Sequence, residues 1–377
     1  MAVCPNYNAP AAAVVNDSAV VASSSAAPWT EAQTATDERA VAQLKEDIAL
    51  LKFIAYGVIS FVIIALGIIG NLINLVVLTR PNLKGVTFVY LTWLATSDLL
   101  TLVVAVFSML RLHGIQPRSY PAAFYYAHVE MPLVNALMAS SVFIVLAVTM
   151  DRYWSVCRPT RYREFHNARR AKLAILSAFA GAALLYIPVA FQKMPVPFWD
   201  EQLNMTQYMP CDNVAVTQKW AFKAYLIFKE VLVRLGPVIV VSTLNTTIIV
   251  TFRKVMRKRH LLTNSTTRDS GKFLEEKRLV MLLAAIVIMF CVCMTPAAIL
   301  TMLISDDKEL NYGFQLFRAF ANDMEMANFA MNFYVYCLCS TEIRETFFRL
   351  FRLSRPPPTD VSYVISSKTA VDGSTRL

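Results

Sequence analysis

The stretch from Phe53 to Leu78 holds no charged residue. It outruns the roughly 20 apolar residues that a helix needs to cross a bilayer. Further apolar segments follow at Val86–Leu110, with Asp98 as its one ionisable group, and at Met131–Met150 and Leu173–Phe191, which have none. Leu235–Phe252 is uncharged and extends upstream through Tyr225, Ile227 and Phe228, with Lys229, Glu230 and Arg234 mixed in. Leu279–Ser305 is also clean, while Ala319–Cys339 carries Asp323 and Glu325 and is the weakest segment by hydropathy. A lone segment satisfies its backbone groups in lipid only as a helix. The sequence therefore predicts an all-α membrane protein, a seven-transmembrane helix bundle. Composition agrees: 56% hydrophobic and 16% charged residues lie far from the soluble balance of about 45–50% and about 25%. The seven cysteines are too sparse for a disulfide scaffold.

Lys and Arg in the connections set the orientation. Arg158, Arg161, Arg163, Arg169, Arg170 and Lys172 lie between spans three and four, and a longer basic run from Arg253 to Arg278 lies between five and six. Arg344, Arg349, Arg352 and Arg355 follow span seven. The alternate loops hold Asp200, Glu201, Asp212, Asp306, Asp307 and Glu309. This pattern puts the C-terminus in the cytoplasm and the N-terminus outside, and it accounts for the net charge of +10 without nucleic acid. The predicted organisation is an extracellular disordered tail at 1–47, rich in Ala, Ser and Thr, the bundle at 48–340, a membrane-surface helix at 341–353 and a cytoplasmic tail at 354–377. Ile343, Phe347, Leu350 and Phe351 at helical spacing opposite Arg344, Arg349 and Arg352 carry the surface-helix reading. No charged leader with a short apolar run opens the chain, so span one is expected to serve as the insertion signal. Asn16 and Asn204 begin Asn-x-Ser/Thr triplets on the predicted outer side, the glycosylation pattern.

Polar residues at membrane depth are costly and usually functional. Asp151-Arg152-Tyr153 ends span three within Asp-Arg-Tyr-x-x-Val-x-x-Pro, reaching Pro159. Span one has Gly70-Asn71, span two Leu94-Ala95-Thr96-Ser97-Asp98 and span five Pro237. Span six has Phe290-x-x-Cys293-x-x-Pro296, and span seven has Asn328 and Asn332-x-x-x-Tyr336. With these marks in order, the chain resembles the rhodopsin-like G-protein-coupled receptors over roughly residues 48–352. The resemblance implies a switch at Asp151, Arg152, Tyr153, Glu276 and Tyr336, with an Arg152–Glu276 pair holding spans three and six. It implies transmission through Val142, Pro237, Phe290, Met294 and Pro296. It also brings Asn71, Ser141, Asn328 and Asn332 to Asp98, around a sodium ion or as a hydrogen-bonded cluster without one. No other cofactor is expected. The expected partners are a ligand, a heterotrimeric G protein and the plasma membrane.

Departures from the family pattern narrow the reading. Met294 stands for the span-six Trp, Phe333 for the span-seven Pro and Asn245 for the span-five Tyr, and the span-four Trp is missing. Cys4 is the sole cysteine before Asp151, so the usual disulfide from span three cannot form; Cys211 pairs with Cys4 or stays a free thiol. Val134 occupies the amine-receptor Asp position and Met326 the retinal Lys position, which argue against an amine and a chromophore. The outer half offers Glu130, Asn135, Lys229, Glu230, Arg234, Arg318, Asn322, Asp323 and Glu325, a mixed-charge set suited to a peptide, with Glu130, Lys229, Glu230, Asn322 and Glu325 as the expected pocket; the alternative role of Glu325 is to pair with Lys229 or Arg234. Short lines such as Leu244-Asn245-x-x-Ile248 and Asn332-Phe333-x-x-Tyr336 resemble invertebrate FMRFamide and myosuppressin-like neuropeptide receptors.

Rival classes lack their marks. The four histidines sit in loops or at helix ends, which leaves an intramembrane enzyme without a site, and no internal repeats point to a transporter or channel. A non-signalling orphan or decoy receptor is the alternative reading. The C-terminal Thr375-Arg376-Leu377 fits strand addition to a PDZ scaffold, through the Thr375 hydroxyl and the Leu377 side chain.

Overall fold

The computed structural model describes residues 28–351 except 82, 84, 116, 161, 163–166, 263–267 and 304–309, and gives the backbone alone for 28–38, for the rest of 258–277, and at 279, 283 and 302. Helices dominate because the sequence supplies long apolar runs with few breakers. Span one is Ser60–Leu78, span two Val86–His113, span three Met131–Cys157 and span four Ala168–Tyr186. Gly236–Leu262 and Arg268–Leu303, with Pro296 inside the latter, form spans five and six. Among the described residues six helices are long and apolar enough to cross a membrane. The seventh is divided at Met331 into Tyr312–Ala330 and Asn332–Cys339, and Arg318, Asp323 and Glu325 occupy its first part.

Three spans are entered through π-helical turns at the same end of the bundle. These are Phe53–Ile59 before span one, Tyr126–Glu130 before span three and Val231–Leu235 before span five. The first is preceded by a helix from Pro28 to Lys52. The boundary expected at residue 47 is thus corrected: helix begins at Pro28, because Ala, Gln, Glu, Leu and Lys dominate this stretch and are strong helix formers. Residues 1–27 lie outside the description.

A second correction concerns the connection after span four, which by sequence is an outer loop. Lys193–Asp200 (β1) and Met205–Asp212 (β2) form an antiparallel hairpin with Asp200 opposite Met205. Pro195, Pro197 and Pro210 hid it, since proline weakens a strand signal. Arg118 anchors the hairpin. Its carbonyl accepts from Tyr208 N at 2.8 Å, and its guanidinium donates to Gln207 Oε1 at 3.2 Å and Asp200 Oδ2 at 3.4 Å. Cys211 in β2 is buried and disulfide-bonded, so the free-thiol alternative is set aside; Cys4 lies outside the described residues.

Side chains on the outside of the bundle are large and apolar, as at Leu66, Ile69, Leu184, Ile239 and Ile288, which lipid solvates. Span three packs on spans two, four and five, and span seven packs on one and six. Gly67 permits the closest of these approaches. A Cβ there would stand 2.8 Å from the Ala330 backbone and 2.6 Å from the Leu102 side chain. The surface helix, Thr341–Leu350, is capped by Ser340, whose Oγ accepts from Ile343 N at 3.4 Å. Ile343 is buried, the Phe347 ring lies 5.6 Å from that of Phe333, and Phe348 and Phe351 stay exposed.

Gly67→Val is expected to wedge span one from span seven and to cost about 1–3 kcal/mol, the usual range for overpacking. Thermal unfolding of the purified variant in detergent, compared with wild type, measures it. A Val that leaves the transition unmoved would contradict the close approach.

Candidate functional site

The buried polar core forms where Asp98, fully enclosed on span two, meets spans three and seven. Ser141 Oγ donates to Asp98 Oδ1 at 2.7 Å, and Asn332 Nδ2 donates to Asp98 Oδ2 at 2.6 Å. Asn328 lines the same small cavity, about 10 Å³. Asn71 stands apart from the carboxylate: its Nδ2 donates to the Gly67 and Phe329 carbonyls, each at 2.9 Å, and ties span one to span seven. Asn74, one turn further on the same face, is fully buried with neither polar side-chain atom partnered among the described residues. The sequence reading missed it, although its i+3 spacing from Asn71 was a usable signal. Asn332 Oδ1 and the Tyr336 hydroxyl are likewise buried without a partner among the described residues. In folded proteins buried water serves such positions.

Toward the end of span three, Arg152 donates to Asp151 Oδ2 at 2.7 Å and to the Tyr162 hydroxyl at 3.4 Å. Burial raises the Tyr162 phenol above its ordinary range, which keeps it protonated. The Glu276 side chain lies outside the described residues, as do Asn16, Thr375 and Leu377. Tyr153 rests edge-on against Trp154, and Tyr336 is sealed in the main core with Leu91, Leu94, Ile144 and Leu282. Of the five residues expected in transmission, Val142, Phe290 and Met294, each about 1% exposed, form one cluster with Val238. Pro237 is buried, and Pro296 lies inside span six two residues after Met294.

The hairpin end separates the five residues expected to line one pocket. Glu130 is 1% exposed and is paired with Arg111 of span two. It also accepts from Ser108 Oγ at 2.9 Å, while the Arg111 guanidinium lies 3.9 Å over the Tyr126 ring. Asn322 donates to the Tyr56 hydroxyl at 3.0 Å and so joins span seven to the π-helical turn before span one. The other three belong together through Arg234. Arg234 donates to Glu325 of span seven at 2.8 Å and to Glu230 at 3.1 Å, and Glu230 also pairs with Lys229 at 3.1 Å. Glu230, Arg234, Val231, Leu226, Ala298 and Thr301 line a cleft of about 230 Å³ between spans five and six. The sequence offers Lys229 or Arg234 as a structural partner for Glu325, and the structure selects Arg234.

Glu130→Ala should leave Arg111 buried without its carboxylate. A loss of about 3–5 kcal/mol is expected for a buried pair broken on one side, read as a lower unfolding temperature in detergent. A change confined to ligand affinity, with stability intact, would return Glu130 to the pocket.

Residues 70–342 match the 7 transmembrane receptor (rhodopsin family) domain. Two probable G-protein coupled receptors of Caenorhabditis elegans are 34% and 30% identical to the chain; the first match covers 79% of this chain and 69% of the relative, the second 79% and 76%. An FMRFamide receptor of Drosophila melanogaster is 22% identical over 86% of this chain and 59% of its own length. With the ordered motifs, the helical bundle and the match over most of its length together, the chain belongs to the rhodopsin family of seven-transmembrane G-protein-coupled receptors, a family of multi-pass signalling receptors rather than enzymes.

Proposed function

We propose that the protein is a plasma-membrane receptor for a neuropeptide, with its N-terminus outside, and that it passes agonist binding to a heterotrimeric G protein. The observation that carries the peptide reading is the hairpin end itself. A cleft edged by Glu230 and Arg234 lies between spans five and six, and the two-stranded hairpin leaves Trp199 and Leu203 exposed. Mixed charge in the cleft and exposed apolar side chains on the hairpin suit a peptide that presents both. The distant likeness to the FMRFamide receptor supports the same class. Asn204, exposed and at φ 48° in the hairpin turn, is an accessible glycosylation acceptor on this side.

On the opposite side Arg152 is the coupling residue in this reading. Its present partners, Asp151 and Tyr162, belong to span three and the connection after it. Outward movement of span six would open a crevice beside the guanidinium for a G-protein helix, a shift between two packings of one bundle. The Val142–Phe290–Met294 cluster stands between the cleft and that end, where a change in side-chain packing can pass along span six. The Asp98 site has a donor set that suits a sodium ion: a carboxylate, the Ser141 hydroxyl and the otherwise unpartnered Asn332 Oδ1. A bound ion would add positive charge there. The chain's own part is to join spans two, three and seven through these residues.

Two experiments test the reading. Amidated neuropeptides, FMRFamide among them, applied to cells expressing the receptor should yield agonists of guanine-nucleotide exchange; a complete library without one would remove the peptide assignment. Arg152→Ala should reach the surface normally and lose at least about tenfold in stimulated exchange. Full signalling by that variant would refute the role of Arg152.

A further inference from the structure

The charge chain across the hairpin end does more than line a wall. Arg234 is shared between two carboxylates of different origin: Glu230 lies one turn away on the same helix, and Glu325 belongs to span seven. The Arg234–Glu325 contact is therefore a cross-bundle link, whereas Arg234–Glu230 is local. Lys229 completes the set by pairing with Glu230 at 3.1 Å and placing its ammonium 5.3 Å from the Tyr186 ring centre. Two cations and two carboxylates thus balance in a region where lipid and packed side chains surround them.

We propose that this link is a latch which a positively charged group of the ligand opens by taking the place of Arg234 on Glu325. The inference rests on the peptide reading above and specifies the chemistry of the contacting group. Charge balance selects its sign. A ligand anion that captured Arg234 would leave Glu325, whose side chain is 10% exposed, without its cation, and an uncompensated buried charge is strongly unfavourable. A ligand guanidinium or ammonium on Glu325 leaves Arg234 still paired with Glu230, so every charge keeps a partner. The exchange costs the protein its span-five to span-seven link and nothing else in the set. The cleft reaches the Arg234 side of the link: Glu230 and Arg234 line it beside Ala298 and Thr301 of span six, and Glu325 is joined to it through Arg234. Span six thus borders the point of exchange, and Met294 lies one turn from Ala298 on the same helix. Loss of the link unties spans five and seven, both of which pack against span six, the element whose movement opens the coupling end.

The latch can be tested without the natural peptide, on full-length receptor in nanodiscs with a purified G protein and with surface amount and unfolding temperature matched. Agonist-free nucleotide exchange should rise at least about threefold in Arg234→Gln and in Glu325→Gln. The double variant should rise no further than the higher single, because both changes remove one interaction. Unchanged exchange in both singles, or additive effects in the double, would overturn the latch. For the ligand group, arginine amide and its uncharged counterpart citrulline amide are compared at millimolar concentration. Arginine amide should stimulate wild type above citrulline amide and lose that advantage in Glu325→Gln. Equal responses, including none, would overturn the cationic assignment. A peptide library that yields no agonist, beside raised exchange in the single variants, would instead fault the peptide reading and leave the latch standing.

Discussion

A carboxylate buried in a bilayer has to be met by other polar groups, and Asp98 is met by two that come from different helices. Ser141 and Asn332 each donate to one of its oxygens, so a single side chain joins spans two, three and seven at mid-bundle. Lipid cannot supply the polar partners that water would, and apolar packing between helices is hardly better than packing against lipid tails. Fixed polar junctions of this kind therefore set which helices sit together. Asn71 repeats the device between spans one and seven, using backbone carbonyls as acceptors. Arg111–Glu130 repeats it between span two and the turn before span three.

The family replacements have local answers. Phe333, standing where proline is customary, fills space between span one and the surface helix: Gly70 makes room beside its Cβ, and its ring meets Phe347. The break in span seven still occurs, at Met331. Met294 is smaller than the usual Trp yet reaches Phe290 and Val142. An unbranched, polarisable side chain adapts to such a gap. Asn245 is buried with its carbonyl oxygen unpartnered among the described residues, a polar atom at membrane depth for which packing gives no reason.

How much could be read from the chain divides along physical lines. The spans were legible because lipid imposes a length and a composition on each. The Asp98 junction was legible because the motifs fix which helical turn each polar residue occupies, and the structure brings Ser141, Asn328 and Asn332 to it. Pairings at the hairpin end were legible only in part: Lys229 and Arg234 were both candidates for Glu325, which took Arg234. Glu130, Lys229, Glu230, Asn322 and Glu325 share a depth, and depth does not say which neighbour a carboxylate faces; Arg111 took one and Arg234 two. The hairpin was hidden for another reason: its prolines argue against strands, and the two strands stand on backbone pairing and Arg118 rather than on a patterned apolar face.

The π-helical turns at the heads of spans one, three and five set which helical face each residue beyond them occupies. A turn widened by one residue rotates everything beyond it by roughly 100° about the helix axis. Glu130 closes one such turn and Arg234 lies within another. Counting outward from Arg152 or Pro237 therefore names the wrong helical face once it passes the turn, although the count inward stays true. Gain or loss of one residue there would present a different set of side chains to the ligand while the coupling end kept its register. In this chain a length change in a single helical turn is thus enough to alter the surface offered at the outer end, without a substitution in either half of the bundle.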